Sequence, residues 1–351
     1  MIIFVGLMKK KDSTIEKEVV IVGGGPIGIA CALECQKNGL DYLVLEKGAL
    51  TNSLFNYPLN MTFFSTSEKL EIDGIPFISN SPKPTRNEAL EYYRRVTTSN
   101  ELNINLYEQV FKIDNLGHRF HVVTDKAEYR AEQVIIATGF YDIPNLLNVK
   151  GEDLPKVFHY YKEAHPFTLQ NIAVVGASNS SVDAALEIYR KGGNVTMVVR
   201  GGDIGERVKY WVRPDIKNRI EEGSIKAYFN SEITEIRDSQ IDLDTPDGKV
   251  TLENDYVIAL TGYKPNFQFL KKIGVQFSED EMHIPDYNDE TMETNIQNLY
   301  LAGVICGGME THKWFIENSR IHAKIIVEHI LEKRTSKLKN KQVHYESNLE
   351  Q

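Results

Sequence analysis

Residues 18–47 constrain the fold of this chain more than any other stretch. They begin with a β-branched run typical of a buried parallel strand, and the glycine pattern Gly23-x-Gly25-x-x-Gly28, a helix and a second strand ending in Glu46 follow. The first glycine permits a tight turn, the second lets the backbone approach a pyrophosphate, and the third lets helix and strand pack closely. Glu46, 18 residues after Gly28, is placed to accept hydrogen bonds from an adenosine ribose. The ordered set predicts a dinucleotide-binding βαβ unit.

The same organisation recurs in residues 171–200. A strand leads into Gly176-x-Ser178-x-x-Ser181, a helix and a second strand, which is followed by Arg200 instead of an acid. Serine is small and its hydroxyl can donate to phosphate, so we expect the loop to keep its role with changed chemistry. An arginine accommodates a ribose 2′-phosphate that a carboxylate would repel. This second unit therefore favours NADPH over NADH.

Three buried strands complete the pattern, and each ends at a glycine. The strand of residues 134–139 ends in Thr-Gly, the strand beginning at residue 255 also ends in Thr-Gly, and residues 298–304 end near a third glycine. We therefore predict an α/β fold of two Rossmann-like domains, with the second inserted in the first. The predicted parts are an N-terminal extension (1–14), the first domain (15–151 and 263–333), the second domain (152–262) and a polar tail without periodicity, expected to be disordered (334–351).

The composition argues against several classes of binding partner. The formal net charge of −9 argues against nucleic acid and against an anionic membrane surface. No stretch approaches the length needed to span a bilayer. The 3 cysteines form no disulfide framework, which fits a reducing cytoplasm, and no metal-binding set is predicted.

The paired units resemble two-dinucleotide-binding-domain flavoproteins, of which the low-molecular-weight thioredoxin reductases are a familiar type. Within that group, the runs NYPLNMTFFSTSEKL, LPKVFHYYKEAHPF and ETNIQNLYLAGV resemble the bacillithiol disulfide reductase family. The resemblance covers nearly all of residues 19–332. It implies FAD on the first unit, NADPH on the second, and a small-molecule disulfide or related compound as electron acceptor. A homo-oligomer is compatible with this assignment.

The predicted cofactor contacts follow from the two motifs, the strand ends and this resemblance. In the connection of residues 50–77, predicted as loop, the stretch Thr62-Phe63-Phe64-Ser65 stands where a flavin ring could be covered, with simple packing of the two phenylalanines as the alternative. The residues predicted to contact FAD are Gly23, Gly25, Pro26, Gly28, Glu46, Lys47, Thr62, Phe63, Thr138, Gly139, Gly303 and Val304. Those predicted to contact NADPH are Gly176, Ser178, Asn179, Ser180, Ser181, Arg200 and Gly262.

The chain departs from both families in its cysteines. It has no Cys-x-x-Cys pair, and Ile27 stands where the bacillithiol disulfide reductase family has a cysteine inside the glycine motif. Cys31 and Cys35 fall on the following helix and are expected to be buried, inert thiols. Cys306, just after a strand end expected near the flavin, is the one candidate for a redox-active thiol. No other catalytic residue is assigned.

Two other functions are compatible with the same motifs. A flavin monooxygenase shares this architecture and needs no cysteine. However, residues 158–165 lack the glycine of the fingerprint Phe-x-Gly-x-x-x-His and are one residue too long. A non-catalytic sensor that binds both dinucleotides is the second alternative, since Ile27 removes the thiol expected of the family.

Overall fold

The computed structural model describes residues 14–349 of the chain, with side chains up to residue 336. The predicted extension of residues 1–14 lies outside the described residues except for Thr14. The first part of the first domain contains β1 (Ile15–Val22), α1 (Pro26–Lys37), β2 (Tyr42–Leu45), α2 (Asn52–Phe55), α3 (Ser67–Leu70), α4 (Arg86–Ser99), β3 (Ile104–Asn105), β4 (Val110–Asn115), β5 (Phe120–Thr124), β6 (Glu128–Ile136) and β7 (Ile143–Pro144).

The second domain follows, and the chain then returns to the first. The second domain contains β8 (Val157–Phe158), a 3₁₀ helix (His165–Phe167), β9 (Asn171–Val175), α5 (Asn179–Arg190), β10 (Asn194–Val199), α6 (Arg213–Glu221), β11 (Lys226–Phe229), β12 (Glu232–Ile236), β13 (Gln240–Thr245), β14 (Gly248–Glu253) and β15 (Tyr256–Ala259). The returning segment contains β16 (Tyr263–Lys264), α7 (Phe267–Ile273), β17 (Leu299–Leu301), a 3₁₀ helix (Val304–Gly307), α8 (Ile316–Ser319) and α9 (Ile321–Leu349).

Sheet topology confirms the insertion of one Rossmann-like unit in the other. The sheet of the first domain has the order β3-β2-β1-β6-β5-β4, and β17 pairs with β6 although it lies far along the chain. The sheet of the second domain has the order β11-β10-β9-β15-β8, drawn entirely from the chain between β7 and β16. In both sheets the strand before the glycine-containing loop is central and parallel to its neighbours, as expected for doubly wound folds.

The strands that are apolar in sequence are buried in the structure. All four residues of β2 are buried, and so are the last four of β1 and β6, as is typical of strands inside a parallel sheet. Helix α1 packs against α9, which belongs to the returning segment, so the glycine motif and the end of the chain share one hydrophobic core. Because β1, β6 and β17 run parallel to one another, the strand ends that carry the motifs of the first domain meet at one edge of its sheet.

Two elements differ from the sequence predictions. Part of the connection between residues 50 and 77, predicted as loop, forms the short helices α2 and α3. The disordered tail predicted for residues 334–351 is wrong as far as Leu349, because α9 continues to that residue. The tail contains no glycine or proline, and its lysine, leucine, glutamine and glutamate residues can propagate a helix already anchored by buried residues such as Ile326 and Ile330. Residues 350–351 lie outside the described part.

None of the described helices, between residues 14 and 349, combines the length and the apolar character needed to cross a membrane.

Candidate functional site

The first glycine loop has the close packing that its pattern predicts. Gly28 in α1 lies so near the preceding turn that a Cβ there would stand 1.9 Å from the carbonyl oxygen of Gly23. Gly23 itself has φ +110, and a side chain on it would meet the carbonyl oxygen of Ala137. Gly25 differs, because a Cβ there meets no heavy atom within 4 Å. The loop is therefore tight against the protein on one side and open in front of the N-terminus of α1, next to Pro26.

Glu46 is held at the end of β2 by backbone donors. Its Oε2 accepts a hydrogen bond from the N–H of Gly24 at 2.7 Å, and its Oε1 accepts one from Gly48 at 2.9 Å. The side chain is buried, and burial raises the pKa of its carboxyl group, while the two backbone hydrogen bonds oppose that rise. Each carboxylate oxygen keeps acceptor capacity for a ribose hydroxyl. The ammonium of neighbouring Lys47 pairs with Asp142 at 2.7 Å.

The strand end after β6 offers an unpartnered donor to this opening. The hydroxyl oxygen of Thr138 is buried and has no hydrogen-bond partner among the described residues. Gly139 follows with φ +69 and open space where a side chain would be. Buried polar groups are normally paired, so this hydroxyl is an unfilled hydrogen-bonding position. Together with Glu46 and the open face at Gly25, it fits a dinucleotide.

The strand end after β17 lies against Ile27, the position where the resemblance stated above leads us to expect a cysteine. A Cβ on Gly303 would stand 3.3 Å from Cγ1 of Ile27, and Gly303 has φ +88. Half-buried Val304 begins the 3₁₀ helix that follows. Ile27 therefore fills the space beside this strand end with an apolar side chain and brings no thiol to it.

His322 in α9 supports the same strand end from inside the protein. Its Nδ1 accepts a hydrogen bond from the N–H of Gly303 at 3.1 Å, so the ring proton sits on Nε2 in the neutral tautomer. The edge of Trp314 packs on the ring at 4.6 Å between centroids. The side chain is 1% exposed, and burial lowers the pKa of His322 to about 4. His322 was not predicted as a site residue, because a histidine in an apolar helix has no local signature of function.

Of the stretch predicted to cover a flavin ring, residues 62–65, the structure places Thr62 and Phe64 at a cavity. Phe63 is buried in the core of the first domain, 7% exposed, which agrees with the alternative of simple packing. Thr62 is exposed at the edge of the large cavity between the domains, where its carbonyl oxygen lies 3.5 Å from Nζ of Lys209. The neighbouring Phe64, not Phe63, faces the cavity.

In the second loop the serines do not all have the predicted chemistry. Ser181 occupies the position of Gly28 in the first loop and is 0% exposed. Its hydroxyl donates to the carbonyl oxygen of Ser178 at 2.9 Å, so the prediction that it donates to phosphate is wrong. Ser178 and Ser180 are exposed at the N-terminus of α5 and remain available to an anion. Gly176 has φ +123, which the tight turn requires.

Asn179 has a structural role that sequence reasoning missed. Its Oδ1 accepts from the N–H of Lys209 at 2.8 Å, and its Nδ2 donates to the carbonyl oxygen of Arg207 at 3.2 Å. Gly205 adds a backbone hydrogen bond to Ala177 at 2.9 Å. The second loop is thus joined to residues 203–212, a segment that also runs toward the first domain.

A cavity of about 1270 Å³ lies between the two domains. It is lined by residues of the second loop (Gly176, Ser178, Asn179 and Ser180), by Arg200 and Gly262, and by Thr62 and Phe64 of the first domain. Arg200 is exposed, and no acidic side chain pairs with it among the described residues. A free cation at the end of β10 can bind a phosphate without first breaking an ion pair.

Four tyrosines form a cluster where the chain crosses between the domains. The ring of Tyr141 lies 4.8 Å from Tyr57, 5.3 Å from Tyr160 and 4.4 Å from Tyr263, measured between centroids. Burial raises the pKa of Tyr57 and of Tyr160 to about 12, so both hydroxyls stay protonated at neutral pH. The cluster was not predicted, since its members are distant in sequence and share no motif.

The cysteines do not form a redox site. Cys31 and Cys35 are both 0% exposed, as predicted, and burial raises the pKa of Cys31 to about 12. Cys306 is also 0% exposed, with its Sγ 3.9 Å from Nδ1 of His322, and burial raises the pKa of its thiol. A reactive cysteine needs exposure and a stabilised thiolate. The structure therefore corrects the candidate role of Cys306, which belongs to the core.

Comparison with known proteins agrees with this arrangement. Residues 20–303 match the pyridine nucleotide-disulphide oxidoreductase family. The chain is 42% identical over 310 residues to bacilliredoxin reductase Bdr of Bacillus subtilis, covering 88% of this chain and 95% of that protein. The solved bacillithiol disulfide reductase Bdr of Staphylococcus aureus is 42% identical with a TM-score of 0.89, covering 91% of this chain and 99% of that one.

More distant structures share the fold alone. A flavin monooxygenase from Stenotrophomonas maltophilia has a TM-score of 0.72 at 19% identity, covering 90% of this chain and 98% of that one. The family of the near relatives implies sites for a flavin and a nicotinamide dinucleotide, in agreement with two glycine-containing loops at the ends of parallel strands. From its sequence identity, coverage and fold, the chain belongs to the bacillithiol disulfide reductase family of pyridine nucleotide-disulphide oxidoreductases.

Proposed function

We propose that the protein is an NADPH-dependent FAD flavoprotein that reduces a small disulfide of the bacillithiol type. The observation that carries the proposal is the contrast between the two strand ends: a buried acid, Glu46, at the first and a free cation, Arg200, at the second. A carboxylate suits the ribose hydroxyls of FAD, and a guanidinium suits the 2′-phosphate of NADPH. The acceptor follows from the near relatives, whose names specify bacillithiol disulfide or bacilliredoxin.

The residues of this chain would bind, orient and shield the two cofactors. The N-terminus of α1 and the open face at Gly25 would hold the FAD pyrophosphate, with Glu46 on the ribose and Thr138 as an additional hydrogen-bonding group. Ser178, Ser180 and Arg200 would hold the phosphates of NADPH at the cavity. When bound, the flavin supplies the redox chemistry, in which NADPH, a proton and one disulfide give NADP⁺ and two thiols. The cytoplasmic location that we propose is supported by three free thiols, typical of a reducing compartment.

The direct test is anaerobic oxidation of NADPH by the purified protein, with bacillithiol disulfide, glutathione disulfide and cystine as alternative acceptors. We expect a yellow protein whose flavin is bleached by NADPH and recolours only with bacillithiol disulfide at a useful rate. Failure of NADPH to bleach the flavin would favour the non-catalytic sensor. In a second, aerobic arm, recolouring by oxygen coupled to oxygenation of an organic substrate, without recolouring by any disulfide in the anaerobic arm, would favour a monooxygenase and contradict the proposal.

Arg200→Ala is expected to weaken NADPH binding more than tenfold and to leave NADH binding nearly unchanged. Loss of a charged hydrogen-bond partner costs about 1.5–3 kcal/mol, and tenfold in affinity corresponds to about 1.4 kcal/mol. Arg190 is a matched control, since it lines the same cavity but is already paired with Asp215. Titration of each variant with both nucleotides measures the effect. Equal losses for NADPH and NADH in Arg200→Ala would refute the role in 2′-phosphate recognition.

The Cys31→Ala/Cys35→Ala double variant is expected to keep its bleaching by NADPH and most of its acceptor reduction. Both thiols are fully buried on α1 and cannot reach an acceptor without unfolding of the helix. Stopped-flow absorbance separates the bleaching by NADPH from the recolouring by the acceptor. Loss of recolouring in a variant with normal flavin content and thermal stability would show that a helix thiol takes part.

A further inference from the structure

The covalent connections between the domains lie side by side. Strand β7 carries the chain out of the first domain, β16 brings it back, and the two pair with each other, Tyr263 opposite Pro144 and Lys264 opposite Ile143. Because the two crossings are adjacent, they act as one hinge. They hold the domains together along one line and leave rotation of one domain about that line free. Any fixed orientation of the domains needs a second contact away from β7 and β16.

Several contacts away from β7 and β16 join the domains. Nδ2 of Asn60 donates to Oε1 of Glu187 at 2.6 Å and the N–H of Leu59 donates to the carbonyl oxygen of Lys162 at 2.8 Å, and a further contact consists of one cation and two aromatic rings. Nζ of Lys83 lies 3.6 Å from the ring centroid of Trp211 and 4.8 Å from that of Phe64. The rings of Phe64 and Trp211 are stacked, with centroids 5.6 Å apart and planes inclined by 23°. Lys83 and Phe64 belong to the first domain and Trp211 to the second. The three side chains therefore bridge the domains by a cation–π contact and a stacking contact.

Neither a hydrophobic core nor an ion pair places these side chains, although the ring of Tyr210 borders them, with its centroid 4.8 Å from that of Trp211 and 5.9 Å from Nζ of Lys83. Phe64 is 56% exposed and Trp211 is 40% exposed, so neither is held by a hydrophobic core. Lys83 forms no ion pair within the described part of the chain, although acidic residues are abundant. Both rings line the cavity where the nucleotide is proposed to bind. What the three residues share is their contact with one another.

The segment that carries Trp211 is also fixed to the second glycine-containing loop. Asn179, at the start of α5, bonds the backbone of both Arg207 and Lys209, as described above. Lys209 continues the bridge, with its Nζ 2.7 Å from Asp183 of α5 and 3.5 Å from the carbonyl oxygen of Thr62. The position of Trp211 is therefore tied to the phosphate end of the proposed nucleotide site.

We propose that Lys83, Phe64 and Trp211 form an interdomain clamp that positions the two dinucleotide sites relative to each other. The three are positioning residues, and the inference rests on the proposed function in that the sites are those of FAD and NADPH. Individual cation–π and stacking contacts at the surface are weak, so the clamp biases one domain orientation and does not lock it. Its loss should slow electron transfer between the sites and leave binding of each cofactor intact.

The chain offers a direct reporter, because it contains only 2 tryptophans. In a Trp314→Phe background, fluorescence comes from Trp211 alone, and acrylamide quenching measures how exposed that ring is. The variants are Lys83→Met, Lys83→Arg and a Lys83→Met/Phe64→Ala double variant. Lys112→Met is the matched control, since Lys112 is an exposed lysine of β4 in the first domain, is paired with Asp114 and has no contact with the three clamp residues among those described. Flavin content, NADP⁺ affinity and the single-turnover rate of bleaching by saturating NADPH are measured for each.

We expect Lys83→Met to increase quenching of Trp211 and to slow bleaching about threefold, and the double variant to slow it about tenfold, as suits the loss of one and then two surface contacts. Lys83→Arg should restore the parent values, because a guanidinium also stacks on indole. Flavin content should not change in any variant, and NADP⁺ affinity should not change in the two Lys83 single variants. Phe64 lines the nucleotide cavity, so the double variant is compared only at saturating NADPH. Slower bleaching at normal flavin content distinguishes a positioning role from a merely structural one.

Two outcomes would overturn the clamp. Unchanged quenching of Trp211 in the double variant would show that the contact is absent in solution, whatever the protein does with NADPH. A bleaching rate within twofold of the parent, despite increased quenching, would show that the contact does not position the sites. If the parent protein is not bleached by NADPH, the proposed function fails, the clamp as a device for positioning these sites fails with it, and the quenching then reports only whether the contact forms.

Discussion

Gly25→Val is expected to fold normally and to lose its flavin completely. A Cβ at Gly25 meets no heavy atom within 4 Å, and the backbone there, with φ −75 and ψ 179, suits a valine. The branched side chain would instead fill the space in front of α1, where the FAD pyrophosphate must approach the backbone. Flavin absorbance of the purified protein measures the loss, and far-UV circular dichroism with thermal unfolding measures the fold.

Gly28→Ala gives the matched contrast within the same loop. A methyl group on Gly28 would stand 1.9 Å from the carbonyl oxygen of Gly23, and because the obstacle is backbone, α1 must move away from β1. We expect a destabilisation of about 3 kcal/mol or more, with loss of soluble protein.

Full flavin in Gly25→Val would refute the placement of FAD on the first loop. Unfolding of Gly25→Val would instead show that this glycine serves the fold.

The two glycine loops show how far local sequence determines a site. Spacing predicted the tight turn at Gly23, the close approach at Gly28 and the acid at the end of β2, because each depends on residues within one βαβ unit. Spacing did not predict which way the Ser181 hydroxyl points. Its partner, the carbonyl oxygen of Ser178, is three residues away, and only the built turn shows that it is in reach.

Contacts between distant segments account for most of what the sequence did not reveal. Lys83 and Trp211 are 128 residues apart and carry no motif, and the tyrosine cluster likewise combines separate stretches. Phe63 and Phe64 are chemically identical neighbours, and only the course of the chain decides that Phe63 enters the core while Phe64 faces the cavity. The helical tail was missed for another reason: helix propagation from a packed segment needs no apolar periodicity of its own.

His322 is expected to make the protein sensitive to acid. Burial lowers its pKa from 6.5 to about 4, so the folded state favours the neutral ring. In the unfolded chain the ring takes up a proton below pH 6.5, and the folded ring does so only near pH 4. Unfolding is therefore favoured progressively as the pH falls through this window, and stability is fully present above it. A difference of this size corresponds to about 3 kcal/mol of unfolding free energy lost between pH 6.5 and 4.

His322→Asn tests this assignment, because the amide oxygen can still accept from the N–H of Gly303 but cannot be protonated. Urea unfolding at several pH values between 7.5 and 4.5, at equal flavin content, gives the free energy of each protein. We expect the variant to be less stable at pH 7.5, since a smaller side chain leaves a gap beside Trp314. Its stability should then fall less steeply with acid than that of the parent. His329, whose pKa burial also lowers, and the carboxylates contribute to both curves and cancel in the comparison. Parallel curves for the two proteins would show that His322 is not the group whose protonation destabilises the fold.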